Sequence, residues 1–301
     1  MVDTSDEWIV SRTGIRERHI ASADMSCGDM AIEASRRALE MSGVSHDDID
    51  LVICGTITPD YRLPSNACVI QEKLGFPNAV AFDVVSACTG FINALSIANS
   101  YISTGQHQRA LVIGAEKLSA MTNYQDRNTC VLFGDAAGAV VVEACDNGRG
   151  VLSSYLQSDG SLRPWLWAKI GGSRFPYSPD FAFDGSDKIL MNGSDVFKVA
   201  VRNMGSAALK VIADAGLTTD DIALCVPHQA NIRIIDAMTK RLGLPPEKVF
   251  MNIDKYGNTS AASVPLALDE ANRAGRINPG DNVVMVAFGG GLIWGAALVK
   301  W

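Results

Sequence analysis

Three side chains in this sequence have the chemistry of nucleophilic catalysis: a thiol, an imidazole and a carboxamide. The first is Cys88, in the run AFDVVSACTGFINALSIANSYISTG. Residues 79–85 are short, apolar and rich in Val and Phe, which predicts a buried strand. Residues 89–103 carry Phe91, Ile92, Leu95, Ile97 and Ile102 and end before Gly105, which predicts a helix. Cys88 therefore falls at a strand-to-helix elbow. Unpaired N–H groups and the positive end of the helix dipole favour a thiolate there, so a lowered pKa and a nucleophile are expected. The plainer reading of a lone Cys is a buried structural thiol.

Of the four histidines, His19, His46 and His107 lie in charged or turn-like contexts and read as solvated loop residues. His228 ends the apolar strand IALCV and opens PHQAN, at a strand terminus where loops converge. Asn258, in DKYGNTSAASVPLALDEA, precedes a helix that begins near Ser260. Its alternatives are a turn or capping residue and a neutral N–H donor facing Cys88. The run AFGGGLIWG (287–295) lacks the G-x-G-x-x-G spacing of a dinucleotide fingerprint and leads into a strand-like segment. Its glycines suit a backbone that approaches a substrate and offers it an N–H.

An internal repeat at an offset of 173 residues positions these groups. ALEMSGVSHDDIDLVICG (38–55) aligns with VIADAGLTTDDIALCVPH (211–228), CTGFINALSIA (88–98) with AASVPLALDEA (261–271), and ALVIGA (110–115) with VVMVAF (283–288). Each half reads helix, Gly-capped turn, strand, helix, strand, which predicts a layered α/β molecule of two halves, 1–149 and 150–301. The helix after Asn258 is then the mate of the Cys88 elbow. The strand-like VLSSYLQSD (151–159) opens the second half, but its counterpart would fall near position −22. The first half is thus expected to lack its opening strand, as a truncation or late start codon would leave it, with a sheet edge unpaired.

Composition narrows the function classes. The chain has 301 residues, is 48% hydrophobic and carries a formal net charge of −7, which disfavours nucleic acid and anionic membranes as partners. No apolar run is long enough to span a membrane, and the acidic start MVDTSDEWIVSRTG does not read as a signal peptide. Seven Cys residues without a CxxC pair argue for reduced thiols in a cytoplasm and against a structural zinc site.

The runs DTSDEWIVSRTGIRERHIA, FGDAAGAVVVE, VPHQANIRII, GNTSAASVPLALDEA and AFGGGLIWGAALV, together with the Cys88 elbow, resemble the β-ketoacyl-[acyl carrier protein] synthase III family of the thiolase-like superfamily. The resemblance covers the chain except about 160–188. It implies a five-layered α/β/α/β/α fold, a cytoplasmic homodimer, and no metal or organic cofactor. The implied reaction condenses an acyl-CoA with malonyl-acyl carrier protein, with loss of CO2. Cys88, His228 and Asn258 become the catalytic triad, and the backbone N–H groups of Cys88 and Gly290 the oxyanion hole. Thiolases carry a second Cys and elongating synthases two His, so the initiating synthase fits best.

The resemblance further assigns Trp8 and Arg127 to sandwich an adenine and Arg12 to meet a phosphate. Phe197, Ala230 and Asn231 would line the pantetheine tunnel, and Leu63, Leu132 and Phe133 the acyl pocket. Leu63 stands where the family often has an aromatic residue reaching the partner subunit's tunnel. Lys198, Arg202, Arg233, Lys240 and Arg241, on two predicted helices, would offer an acidic carrier protein a basic patch. The aromatic segment 161–183 either caps the pocket or covers the sheet. A related acyltransferase or polyketide condensing enzyme is the alternative, and an impaired scaffold subunit a third reading.

Overall fold

The computed structural model describes residues 2–178 and 185–301. Strands β1 (Leu51–Gly55), β2 (Val80–Val84), β3 (Arg109–Glu116) and β4 (Ala136–Glu143) form one sheet in the order β2-β1-β3-β4. β1 runs parallel to β2 and β3, and β4 antiparallel to β3. Strand β5 (Gly150–Ser158) is followed by a two-stranded ribbon of β6 (Leu166–Ala168) and β7 (Ile189–Met191). With β8 (Leu224–Pro227), β9 (Asn282–Gly289) and β10 (Ile293–Lys300), β5 builds the second sheet in the order β5-β10-β9-β8.

The helices are α1 (Asp6–Thr13), α2 (Cys27–Ser42), α3 (Asn66–Leu74), α4 (Gly90–Ser103), α5 (Arg127–Cys130), α6 (Gly193–Asp214), α7 (Ile232–Leu242), α8 (Ile253–Tyr256) and α9 (Ser263–Arg273). Their starts and stops are written locally. Ser26 and Asp29 form a reciprocal capping box at the start of α2, and Gly43 ends it in the left-handed region.

Three apolar clusters stack these elements into five layers. Leu51 and Ile53 of β1, and Val283 and Met285 of β9, face a central cluster with Phe91 and Leu95 of α4 and Val264 and Leu268 of α9. The alternate residues Val52, Leu111 and Ile113 face α2 and α3. Val284 and Val286 face α6 and α7. This period-two division is what a sheet covered on both faces requires. The order is α2/α3, first sheet, α4/α9, second sheet, α6/α7, the α/β arrangement the resemblance implied.

The two sheets differ at one edge. β10 pairs with both β9 and β5. β4, in the equivalent place, pairs with β3 and with no second strand among the described residues.

Two elbows aim at the centre. β2 leads into a tight turn at Ala87–Thr89 and then α4, while the turn at Ser260–Ala262 leads into α9. The turns are 173 residues apart and pack against each other. Ala87 (φ 44°) and Ser260 (φ 49°) are the non-glycine residues with positive φ among those described. Each costs on the order of 1 kcal/mol, a strain that recurs where a side chain must be aimed at a site.

Candidate active site

A cavity of about 810 Å³ lies over the two elbows and is lined by Cys88, His228, Asn258 and Ser260. Cys88 stands at the first turn, one residue after the strained Ala87. His228 follows β8, with its N–H donated to the Val286 carbonyl at 2.7 Å. Asn258 precedes the second turn, tied to the first half through Asn258 N to Leu132 O at 2.8 Å and Gly134 N to Asn258 O at 3.0 Å. Residues 140 and 170 positions from Cys88 thus share its cavity.

Hydrogen bonds set their orientation. The Ser260 N–H donates to Asn258 Oδ1 at 3.0 Å, which leaves the amide Nδ2 donors for the cavity. His228 Nδ1 lies 2.6 Å from Ser263 Oγ, which leaves Nε2 for the cavity. Burial pushes the His228 pKa down to about 3, so the imidazole is neutral through the physiological range.

Cys88 corrects a sequence expectation. Its thiol is not lowered but pushed up to about 12, chiefly by burial, with the charge of Glu116 adding to the rise. Bonds from Ser260 and its own backbone act the other way and are outweighed. The elbow dipole favours a thiolate, but in so enclosed a site the lost hydration is the larger effect. The resting site is therefore uncharged at Cys88, His228 and Asn258.

The Gly-rich run closes against the first elbow. A Cβ on Gly289 would lie 2.6 Å from Cys88 N, so only glycine allows this approach. Gly290 lines the cavity next to it.

The other expected residues divide by position. Trp8, Arg12, Arg127, Phe197, Ala230 and Asn231 all line the cavity, as do Leu132 and Phe133. Arg127 and Arg12 lie over the Trp8 ring at 4.8 and 5.1 Å. Two groups sandwiching an aromatic base stand roughly 7 Å apart, twice a carbon contact distance, so Arg127 has to swing off Trp8 to admit one. Leu63 is 88% exposed and lines no part of this chain's cavity. Lys198 and Arg202 on α6, and Arg233, Lys240 and Arg241 on α7, are exposed on two helices that pack together. Arg233 reaches the cavity itself.

Some residues escaped the sequence reading. The ribbon and the turn before it bring Arg163, Leu166, Trp167 and Ala168 to the cavity wall, so this part of 161–183 does cap it. Residues 179–183 lie outside the described residues. Ser263, Ser260 and Glu116 went unnoticed as well. A Glu ending the otherwise apolar ALVIGAE was the available signal for the last. His107 is not solvated as expected, but half-buried against Asp50 and the Tyr101 ring.

Solved structures similar to this one are condensing enzymes. That of 3-oxoacyl-[acyl-carrier-protein] synthase III from Aquifex aeolicus is 46% identical, with a TM-score of 0.92 over 99% of this chain and 92% of that one. The priming β-ketosynthase of the R1128 polyketide pathway is 39% identical, with a TM-score of 0.91 over 99% of this chain and 89% of that one. The fold is therefore that of the thiolase-like condensing acyltransferases.

Sequence matches narrow the class. The model for 3-oxoacyl-[acyl-carrier-protein] synthase III matches residues 82–160, and that for its C-terminal part residues 212–301. β-Ketoacyl-[acyl-carrier-protein] synthase III of Symbiobacterium thermophilum is 53% identical, over 100% of this chain and 91% of that protein. The Clostridioides difficile relative of the same name is 51% identical over 100% of this chain and 92% of its own length. This chain belongs to the β-ketoacyl-[acyl-carrier-protein] synthase III family, the initiating condensing acyltransferases of fatty acid synthesis.

Proposed function

We propose that Cys88 takes the acyl group of an acyl-CoA primer such as acetyl-CoA, and that the enzyme then joins it to malonyl-acyl carrier protein. The sulfur attacks the thioester carbonyl, and the backbone N–H groups of Cys88 and Gly290 hold the oxyanion. The Cys88 S–H bond breaks in this attack, the carbonyl re-forms, the C–S bond to CoA breaks, and the departing CoA thiolate takes up the proton that Cys88 gave up. Malonyl-acyl carrier protein then loses CO2, and its enolate oxygen accepts hydrogen bonds from His228 Nε2–H and Asn258 Nδ2–H. Ser263 supports this tautomer by donating to Nδ1. The enolate carbon attacks the acyl-Cys88 carbonyl. A carbon–carbon bond forms, the Cys88 thiolate leaves, and β-ketoacyl-carrier protein departs. The observation that carries this reading is the single cavity shared by Cys88, His228 and Asn258. Its neutral imidazole and amide suit the step, because a carboxylate deprived of water gains by leaving as CO2.

Trp8, Arg12 and Arg127 at the mouth would take the nucleotide of CoA, and Phe197, Ala230 and Asn231 the pantetheine arm. Leu132 and Phe133 would bound the acyl group. The exposed basic residues of α6 and α7 give an acidic carrier protein a local docking face on an acidic enzyme. The exposed apolar side chains of Tyr61, Leu63, Val80 and Val85 support a homodimer. The substrates and the reduced thiols suit the cytoplasm. No helix among the described residues is long and apolar enough to cross a membrane.

The test incubates the protein with labelled acetyl-CoA and longer acyl-CoAs, with and without malonyl-acyl carrier protein, beside Cys88→Ser. Label held on the wild type alone and released as β-ketoacyl-carrier protein is the expected result. Label that stays on Cys88 in the presence of malonyl-carrier protein overturns it.

A further inference from the structure

Glu116, the last residue of β3, is fully buried beside the cavity floor. Its carboxylate accepts from Thr58 Oγ1 at 2.6 Å, Thr56 Oγ1 at 3.3 Å, Ile57 N at 3.2 Å and Ser260 Oγ at 3.1 Å. Among the described residues no cation pairs with it, and Lys117 Nζ instead donates to the carbonyls of Ser22 and Met25. Ser260 and Cys88 line the same cavity on turns that pack against each other. The Ser260 hydroxyl thus stands between a buried carboxyl and the side of the cavity that holds the thiol.

The repeat argues that this polar pair is not a requirement of the fold. At an offset of 173, Ser260 is the mate of Ala87 and Glu116 the mate of Gly289. The first elbow holds the same strained turn with an Ala at that φ and a glycine against it. A carboxyl and a hydroxyl occur only where they can reach Cys88.

We propose that Glu116 positions the Ser260 hydroxyl and holds, through it, the proton that Cys88 gives up on becoming a nucleophile. In the resting form Ser260 donates to Glu116 Oε1, and its oxygen accepts the Cys88 S–H. On activation the S–H bond breaks and its proton passes to Ser260 Oγ. The Ser260 O–H bond breaks in turn, and its proton forms an O–H bond on Glu116. The protonated carboxyl then donates to Ser260, and Ser260 donates to the thiolate. The negative charge has moved from Glu116 to Cys88, with no net change. Burial lifts the Glu116 pKa to about 7, which makes it a receptive acceptor. Its charge also adds to the rise of the buried Cys27 and Cys54 thiols, which burial keeps neutral.

The inference rests on Cys88 being the reactive thiol, but its test does not need the condensation. Carbamidomethylation of Cys88 by iodoacetamide, located by peptide mass spectrometry, is followed from pH 5 to 10 in wild type, Glu116→Gln and Ser260→Ala. In wild type the rate rises through about pH 7 as the pair loses its first proton. It is then flat, because the ratio of the thiolate–carboxylic acid and thiol–carboxylate forms does not depend on pH. Ser260→Ala loses this plateau, rises only at higher pH, and reacts about tenfold more slowly at pH 7.5, whereas Glu116→Gln, which also removes a charge that raises the thiol, loses the step near pH 7 and rises monotonically with pH. Ser260→Ala places at this φ the residue that Ala87 already shows to be tolerated, so it serves even if Glu116→Gln folds poorly. The same profile in wild type and Ser260→Ala overturns the proposal. Acyl transfer that fails while the plateau persists counts against the proposed condensation instead.

Discussion

The two elbows share a backbone and differ in chemistry. Each follows the core of its half with a tight turn, a residue near φ 45–50° and a buried central helix. Each is met by the end of the middle strand of the other half: β9 abuts Cys88, and β3 abuts Ser260 and Ala261. The first elbow places its sulfur beside a bare glycine backbone. The second offers a hydroxyl, and its approach segment a carboxamide. A duplicated scaffold thus supplies two aimed positions, and in the proposed reaction side-chain choice makes one a nucleophile and the other its support.

The largest effect expected from breaking this division is on condensation alone. His228→Ala and Asn258→Ala should slow decarboxylative condensation by about 10²–10⁴-fold. Both should still load an acyl group from acyl-CoA at close to the wild-type rate, as quenched-flow labelling would show. Equal loss of both half-reactions would mean that the second half also serves acyl transfer.

Opposite pH dependences come next. Glu116 titrates near 7 in the fold against an ordinary 4.5. The stability of the fold is therefore highest below about 4.5 on this group's account and is lost as pH rises to about 7, by on the order of 3 kcal/mol. His228 is lowered from 6.5 to about 3. Its neutral burial costs nothing above 6.5, and stability is lost as pH falls below that. In urea melts, Glu116→Gln should gain on the wild type from pH 4.5 to 7. His228→Asn should gain as pH falls below 6.5. Parallel trends for the two variants would contradict these assignments.

Glycines at the two elbows give a smaller and more discriminating effect. A Cβ at Gly289 would meet Cys88 N at 2.6 Å, and one at Gly114 would meet Ala261 O at 2.3 Å. Each Gly→Ala should cost about 1–3 kcal/mol by overpacking, read from thermal melts. Gly289→Ala should also impair loading of Cys88, because it shifts the nucleophile. Gly114→Ala should spare loading more than it spares condensation.

Much of this division was legible in the sequence. The 173-residue repeat paired the elbows, and the apolar runs located β2, α4 and β10 within a residue or two. The glycine run was read as a backbone approach, and Gly289 against Cys88 is such an approach. The thiol pKa was not legible, because the dipole can be read from a strand–helix boundary but the loss of hydration depends on residues distant in sequence. Glu116 and Ser260, 144 positions apart, were missed for the same reason. The ribbon that caps the cavity lacks a periodicity long enough to place it.

In the proposed reaction one elbow carries the acyl group and the other half consumes it. Peptide-level mass spectrometry of the enzyme, quenched after acetyl-CoA and again after a chase with malonyl-acyl carrier protein, tests it most directly. An acetyl group should be found on Cys88, and the chase should remove it with an equal amount of 3-ketobutyryl-carrier protein formed. Acetylation at another residue, or an acetyl-Cys88 that survives the chase, would contradict the account.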